Sequence, residues 1–262
     1  MSRILIEKIF HRGYLADIYF LNTPDGPILK KYFSHKTKSV LSDINIVDVF
    51  RKEVESIGLL DSIHVDGIVT PQVLEIDWRN LWYAQKYFNL TPLNKYLVRD
   101  SNFFRSDPRI FDLFYRLGEY FAKFHKQNGR LHGDLNRKNI LFGHNFIFIC
   151  DPSPLERQVH EKRTFDLFRV INNLYSYNIV VRFLICNKNK IAFSFLRGYD
   201  DHADIKVSSL EFKEDIIKYL QEMNVLMSKN VISYMKFLVI AFWNKVLLYR
   251  IRKNKIIWLH EQ

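Results

Sequence analysis

Short apolar runs bounded by turn residues fill the first third of the chain. Ile4-Leu5-Ile6, Ile18-Tyr19-Phe20-Leu21 and Ile28-Leu29 are β-branched, aromatic or aliphatic. Between the last two, Asn22-Thr23-Pro24-Asp25-Gly26-Pro27 supplies turn chemistry. The pattern predicts strands over residues 4–33. The period then changes, with Phe50, Val54 and Ile57 at i, i+4 and i+7, which predicts a helix ending near Asp61-Ser62. Val69 to Ile76 and Leu81 to Gln85 flank the turn Asp77-Trp78-Arg79-Asn80 and predict a hairpin. Residues 1–88 thus read as a small, mostly antiparallel sheet with one main helix.

From residue 89 the texture is helical. Ile110, Phe114, Leu117, Phe121 and Phe124 form a long apolar stripe. Lys126 and Gly129 supply its C-terminal cation and cap. A loop over 130–139 leads into the apolar runs 140–142 and 146–150, and residues 164–178 and 208–228 predict further amphipathic helices. The fold class expected is α+β with two lobes, divided as 1–88 and 89–262.

The chain has 262 residues, which suits one large domain or two small lobes around a cleft. Its two cysteines, Cys150 and Cys186, exclude a disulfide framework and a four-cysteine zinc site. Charges at Arg3, Glu7 and Lys8 interrupt the first apolar run too early for a signal peptide, and the longest unbroken apolar run is Phe237 to Trp243. A cytoplasmic protein is expected. Lys and Arg number 39 against 28 Asp and Glu, giving +11 at pH 7. Such a field favours anionic partners: nucleotide, nucleic acid, phosphorylated glycolipid or an acidic membrane surface.

One loop carries the chemistry. It reads Leu131-His132-Gly133-Asp134-Leu135-Asn136-Arg137-Lys138-Asn139-Ile140-Leu141-Phe142, with Asp151 closing the run that follows. Asp five residues before Asn, pinned by apolar residues, resembles the catalytic loop of protein-kinase-like phosphotransferases. The resemblance implies a bilobal kinase-like fold, with 1–88 as the nucleotide-binding lobe and 89–262 as the catalytic lobe. It implies ATP and Mg2+ as cofactors, Asp134 orienting and deprotonating an acceptor hydroxyl, and Asn139 and Asp151 holding the metal. One carboxylate and one amide suit a cation that prefers hard oxygen ligands, few of them from protein.

The same resemblance assigns parts upstream. Pro27-Ile28-Leu29-Lys30 matches the strand whose lysine grips the nucleotide phosphates; Lys31 is the rival one register on, and alternation lets only one of them face the cleft. Lys30 is the expectation, paired with Glu53 rather than Glu55. Gly13, Ala16 and Ile18 fall where the phosphate-covering loop would lie, although only the middle glycine of that loop's pattern survives. Arg12 would supply charge there. Asp166 resembles the helix aspartate that braces the catalytic loop, and reads equally well as a carboxylate favoured at a helix N-terminus.

The departures narrow the branch. Pro152-Ser153-Pro154 follows the second aspartate, Gly133 stands where protein kinases carry Arg, and no long activation segment separates Asp151 from the helix at 164. These features resemble the aminoglycoside phosphotransferases and, more closely, the lipopolysaccharide core kinases that act on 3-deoxy-manno-octulosonic acid. The acceptor this implies is an anionic sugar or glycolipid at an acidic membrane face. Residues 231–262, apolar and aromatic beside a basic cluster, read either as an interfacial helix or as a core helix with an exposed basic end. Arg137 and Lys138 either neutralise charge at the site or form a solvated loop face. Competing readings are a small-molecule, RNA or protein kinase, and a non-catalytic nucleotide-binding scaffold.

Overall fold

The computed structural model describes residues 5–12, 15–34, 45–93, 109–153, 163–175, 188–206 and 212–218, with positions 221, 245, 249 and 253. Three consecutive strands open the chain: β1 (Leu5–Arg12), β2 (Ala16–Thr23) and β3 (Gly26–Phe33). Helix α1 (Ile46–Asp61) follows, then β4 (Ile68–Val69), β5 (Val73–Asp77), β6 (Trp82–Lys86) and β7 (Thr91–Pro92). The second half contains α2 (Arg109–Asn128), β8 (Ile140–Phe142), β9 (Ile147–Ile149), α3 (Thr164–Tyr175) and α4 (Lys188–His202).

Two sheets organise this α+β, bilobal fold. One is antiparallel and five-stranded, ordered β1-β2-β3-β6-β5; the other has four short strands ordered β4-β9-β8-β7. Gly26, at φ 114, makes the tight β2–β3 turn that the Pro-Asp-Gly-Pro run predicts. Ile68–Val69 lies within the first 88 residues, yet it pairs in parallel with β9. The two parts are therefore laced together by backbone as well as by side chains.

Helix α1 joins the two hydrophobic cores. Asn45 caps its first turn by accepting from the Val47 amide at 3.0 Å. Its buried face is Ile46, Val49, Phe50, Glu53, Ile57 and Leu60, a helical stripe with an acid in the middle. Phe50 and Ile57 pack with Ala16, Phe33 and Tyr83 under the large sheet. One turn on, Leu60 belongs to the core built on α2. Tyr120 of α2 donates to the Leu60 carbonyl at 2.8 Å, fastening the end of α1 to the helical lobe.

Helix α2 buries Ile110, Phe114, Leu117, Phe121 and Phe124, the predicted stripe, and stops at Gly129, whose φ of 60 and bond to the His125 carbonyl form a left-handed cap. Helix α4 was not expected from the sequence. Its start is polar and Gly198 interrupts it, but Ile191, Ala192, Phe195, Leu196 and Tyr199 are all buried on one face. The α2–α4 crossing explains the glycine. A Cβ at Gly118 would fall on the Phe195 carbonyl oxygen, and one at Gly198 on the Tyr115 carbonyl oxygen. The two backbones touch through reciprocal glycines.

Of the other expected helices, residues 176–178 and most of 208–228 lie outside the described residues, as does nearly all of 231–262. No helix among the described residues is long and apolar enough to cross a membrane.

Gly118→Ala is expected to destabilise the protein by about 3 kcal/mol, because backbone rather than a flexible side chain blocks the added methyl. Gly58→Ala, in α1 with open space around the position, is expected to stabilise by about 0.5–1 kcal/mol. Chemical denaturation of both variants checks the pair; equal effects would refute the tight crossing.

Candidate active site

The β8–β9 hairpin sets the spacing of the site. Ile140 pairs with Ile149, and the Cys150 amide donates to the Asn139 carbonyl at 3.0 Å, so the residues flanking the two strands meet at one end. Asn139 precedes β8 and Asp151 follows β9. The Asn139 side-chain amide donates to the Asp134 carbonyl at 2.9 Å, to Asp134 Oδ2 at 3.2 Å and to the Asp151 carbonyl at 3.3 Å. One buried amide nitrogen thus ties both aspartates together. Its own oxygen is left as the end available to a hard cation.

Asp151 adopts φ 57, a left-handed conformation that Asp tolerates better than most residues but that still costs about 1–2 kcal/mol. The turn behind it packs back on the catalytic loop, with the Ser153 amide donating to the His132 carbonyl at 2.9 Å. Gly133 is squeezed by that return. It has φ 76, and a Cβ there would stand 3.0 Å from Ser153 Cβ. The glycine in place of Arg is therefore required by the local backbone.

Asp166, on α3, braces the loop from below. It is fully buried and accepts from the His132 amide at 2.6 Å and the Gly133 amide at 3.0 Å, with His125 Nε2 at 3.1 Å. Burial alone would raise the Asp166 pKa; the His125 contact and charge, with the loop donors, more than offset it and hold the carboxyl below its ordinary value. His125 in turn meets the Tyr199 hydroxyl through Nδ1 at 3.1 Å. Burial pushes the His132 pKa down, which keeps its ring neutral and able to accept the Asp134 amide at Nδ1. Asn173 completes the brace by donating to the Leu135 carbonyl at 2.9 Å.

The lysine of the site is Lys31, which corrects the register expected from the sequence. Lys31 Nζ lies 2.6 Å from Glu53 Oε1 and 2.8 Å from Asp151 Oδ1. Lys30 points to the opposite face, where its ammonium sits over the Trp82 ring. The reason is strand pairing. Lys31 is opposite Tyr83, and cross-strand partners share a face; Tyr83 and Phe33 turn inward against α1. The Tyr83 hydroxyl donates to Glu53 Oε1 at 2.7 Å.

Burial works against the Lys31 ammonium, yet Glu53, Tyr83 and Asp151 together hold its pKa well above the ordinary lysine value. Burial and the Glu53 charge likewise keep the Tyr83 phenol protonated as a donor.

The other expected residues divide as follows. Ile18 is opposite Lys31 in β2 and shares its face, while Ala16 is buried opposite Phe33. Glu55 is exposed. Gly13 lies outside the described residues.

The carboxylates differ in exposure. The Glu53 side chain is 4% exposed, whereas Asp134 and Asp151 are 39% and 52% exposed. The first serves the lysine, and the other two open to solvent where a ligand can reach them. Asp134 is also met by Asn136 Nδ2 at 3.0 Å on Oδ2 and by Arg169 Nη2 at 3.3 Å on Oδ1. Sequence reasoning did not single out Asn136, His125 or Arg169. Arg169 stands three residues after Asp166, on the same helix face, which was a readable signal.

No protein-family model matches the sequence, and no curated protein matches it. Among solved structures, the PknI kinase domain of Mycobacterium tuberculosis is 13% identical, with a TM-score of 0.45 over 66% of this chain and 72% of that one. The apo form of PpkA-294 is 12% identical, with a TM-score of 0.49 over 73% of this chain and 88% of that one.

Asp166→Ala is expected to destabilise by about 3 kcal/mol, because it strands two backbone amides and His125 in the core. The Asp166 pKa is lowered on folding, so its stabilisation is present above the unfolded value and disappears as pH falls through the folded one. The stability gap between wild type and Asp166→Asn, followed by denaturant titration, should therefore be full at neutral pH and shrink only below about pH 4.

Proposed function

We propose that the protein is an ATP- and Mg2+-dependent phosphotransferase that acts on a hydroxyl group. The observation that carries this reading is the convergence of Lys31, held by Glu53, with Asp151, Asn139 and Asp134 at one solvent-open place. A buried charged pair beside two accessible carboxylates has no packing rationale, and a non-catalytic scaffold has no use for Asp134 held by three side-chain donors.

In this reading Lys31 binds nucleotide phosphate. Glu53 and Tyr83 keep its side chain extended and charged, so little ordering remains to be done when the anion arrives. Asn139 Oδ1 and Asp151 would hold the magnesium, which neutralises the phosphate charge when bound. Asp134 accepts a hydrogen bond from the acceptor hydroxyl. As the acceptor oxygen forms its bond to the γ-phosphorus, the bridging bond to the β-phosphate breaks, ADP leaves, and the acceptor proton passes to Asp134. Asn136 and Asn139 fix the Asp134 carboxylate for that step, and Asp166 fixes the loop that carries it.

The acceptor class proposed is a sugar of a lipopolysaccharide core or related glycolipid. It is supported by the motif resemblance, by the net charge of +11, and by the twelve residues from Pro152 to Arg163 between Asp151 and α3, too few for a long peptide-binding activation segment. A cytoplasmic site of action with peripheral contact to an acidic membrane face belongs to the same reading. Exposed Lys245, Tyr249 and Lys253, one turn apart, are compatible with such a contact.

Asp134→Asn is expected to lower turnover by about 10²-fold or more while leaving MgATP binding in place. Lys31→Met is expected to abolish the thermal shift produced by MgATP, and Lys30→Met to leave it nearly unchanged. Transfer of labelled phosphate from ATP to core oligosaccharide, total RNA and a generic protein decides the acceptor class. Label confined to RNA or protein would overturn the sugar assignment, and no MgATP binding at all would overturn the enzyme.

A further inference from the structure

We infer that Arg169 is a specificity-determining residue of this site, and that the acceptor carries a carboxylate or phosphate close to its reacting hydroxyl. The inference rests on the phosphotransferase reading above and narrows its substrate.

Asp134 has two sides. Asn136 and Asn139 occupy Oδ2, on the side of Asp151 and the nucleotide. Oδ1 faces α3, where Arg169 Nη2 approaches to 3.3 Å. An acceptor cannot enter from the nucleotide side, so it must meet Asp134 beside Arg169. Substituents one or two bonds from the reacting carbon then fall within reach of the guanidinium.

Arg169 is poorly satisfied where it stands. A well-made pair between guanidinium and carboxylate has N···O distances of about 2.7–2.9 Å and is commonly bidentate; this one is single and longer. Its Nε is buried and meets no acceptor among the described residues. The neighbouring acid on the same helix, Asp166, is committed to His125 and the two loop amides. Phe165 covers one face of the guanidinium, its ring centroid 5.7 Å from Cζ, which leaves the edge as the binding direction.

A planar, permanently charged fork with unused donors is suited to a carboxylate or a phosphate group. Lys138, exposed on the same loop, adds positive charge on the acceptor's approach. A neutral sugar would bring nothing to meet this charge, whereas an acidic sugar or a phosphorylated one would.

The test uses the full chain and steady-state transfer from MgATP to three forms of one probe: core oligosaccharide, the same oligosaccharide with its carboxyl groups reduced to alcohols, and the same after dephosphorylation. For wild type, one of the two modified forms should show KM raised about tenfold or more, which identifies the acidic group. Arg169→Gln should raise KM for the native oligosaccharide by a similar factor and leave KM for the modified form that lacks this group unchanged. Arg169→Lys, which keeps the charge and loses the fork, should fall between.

A uniform fall in kcat on all three forms would make Arg169 a mere support for Asp134 and overturn the inference while the enzyme reading stands. So would unchanged kinetics. Transfer to none of the forms, with the MgATP thermal shift intact, would overturn the inference and the acceptor class together, and loss of that shift in wild type would overturn the phosphotransferase itself.

Discussion

A carboxylate in the apolar stripe of α1 is the constraint on which the site depends. Glu53 sits between Val49, Phe50 and Ile57 on the buried face of its helix. A charge there costs several kcal/mol unless it is paired, and breaking such a pair costs about 3–5 kcal/mol. Lys31 and Tyr83 satisfy it from two adjacent strands. That requirement sets the distance of α1 from the sheet. Because Lys31 also reaches Asp151, the same requirement positions the large sheet over the β8–β9 hairpin. A stability problem in one lobe thereby fixes the geometry between lobes.

The helical lobe solves a matching problem with a second buried acid. Asp166 holds the amides of His132 and Gly133, which would otherwise lie unpaired beneath the loop. Since the loop is held from below by backbone contacts, its side chains are released for use above. Asp134, Asn136 and Asn139 all point into one small network. Rigid acids beneath and exposed acids above are what a pre-organised anion and metal site requires, because ordering done at folding need not be repeated at binding.

How far the sequence could be read follows from the range of each interaction. Asp134, Asn139 and Asp151 are close along the chain, and a three-residue hairpin brings them together, so spacing alone was informative. The choice between Lys30 and Lys31 was not local. Both are lysines in one strand, and the phase is set by which of Leu29-Phe33 or Ile28-Tyr32 turns inward. Phe33 packing on Phe50 at 5.2 Å decides it, and α1 lies beyond the strand in sequence. The α4 helix was hidden by Gly198, normally a reason against a helix. Its presence follows from a crossing with Gly118 eighty residues away, which no local window contains.

Arg169 shows why an acceptor site is harder to read than a nucleotide site. Nucleotide phosphates and their metal are the same in every reaction of this class, so the residues that hold them recur in a pattern. The acceptor differs, and its contacts fall on whichever element lies beside the base. Here that element is α3, already fixed in place by Asp166 and by Phe168, Ile171 and Leu174 in the core. Three residues after the bracing acid, the helix turns the same face toward the loop, so any side chain at that position must lie beside Asp134. A long basic residue there carries its charge to the base without disturbing the core. The brace that holds the catalytic loop thus also determines where selectivity for the acceptor can be placed.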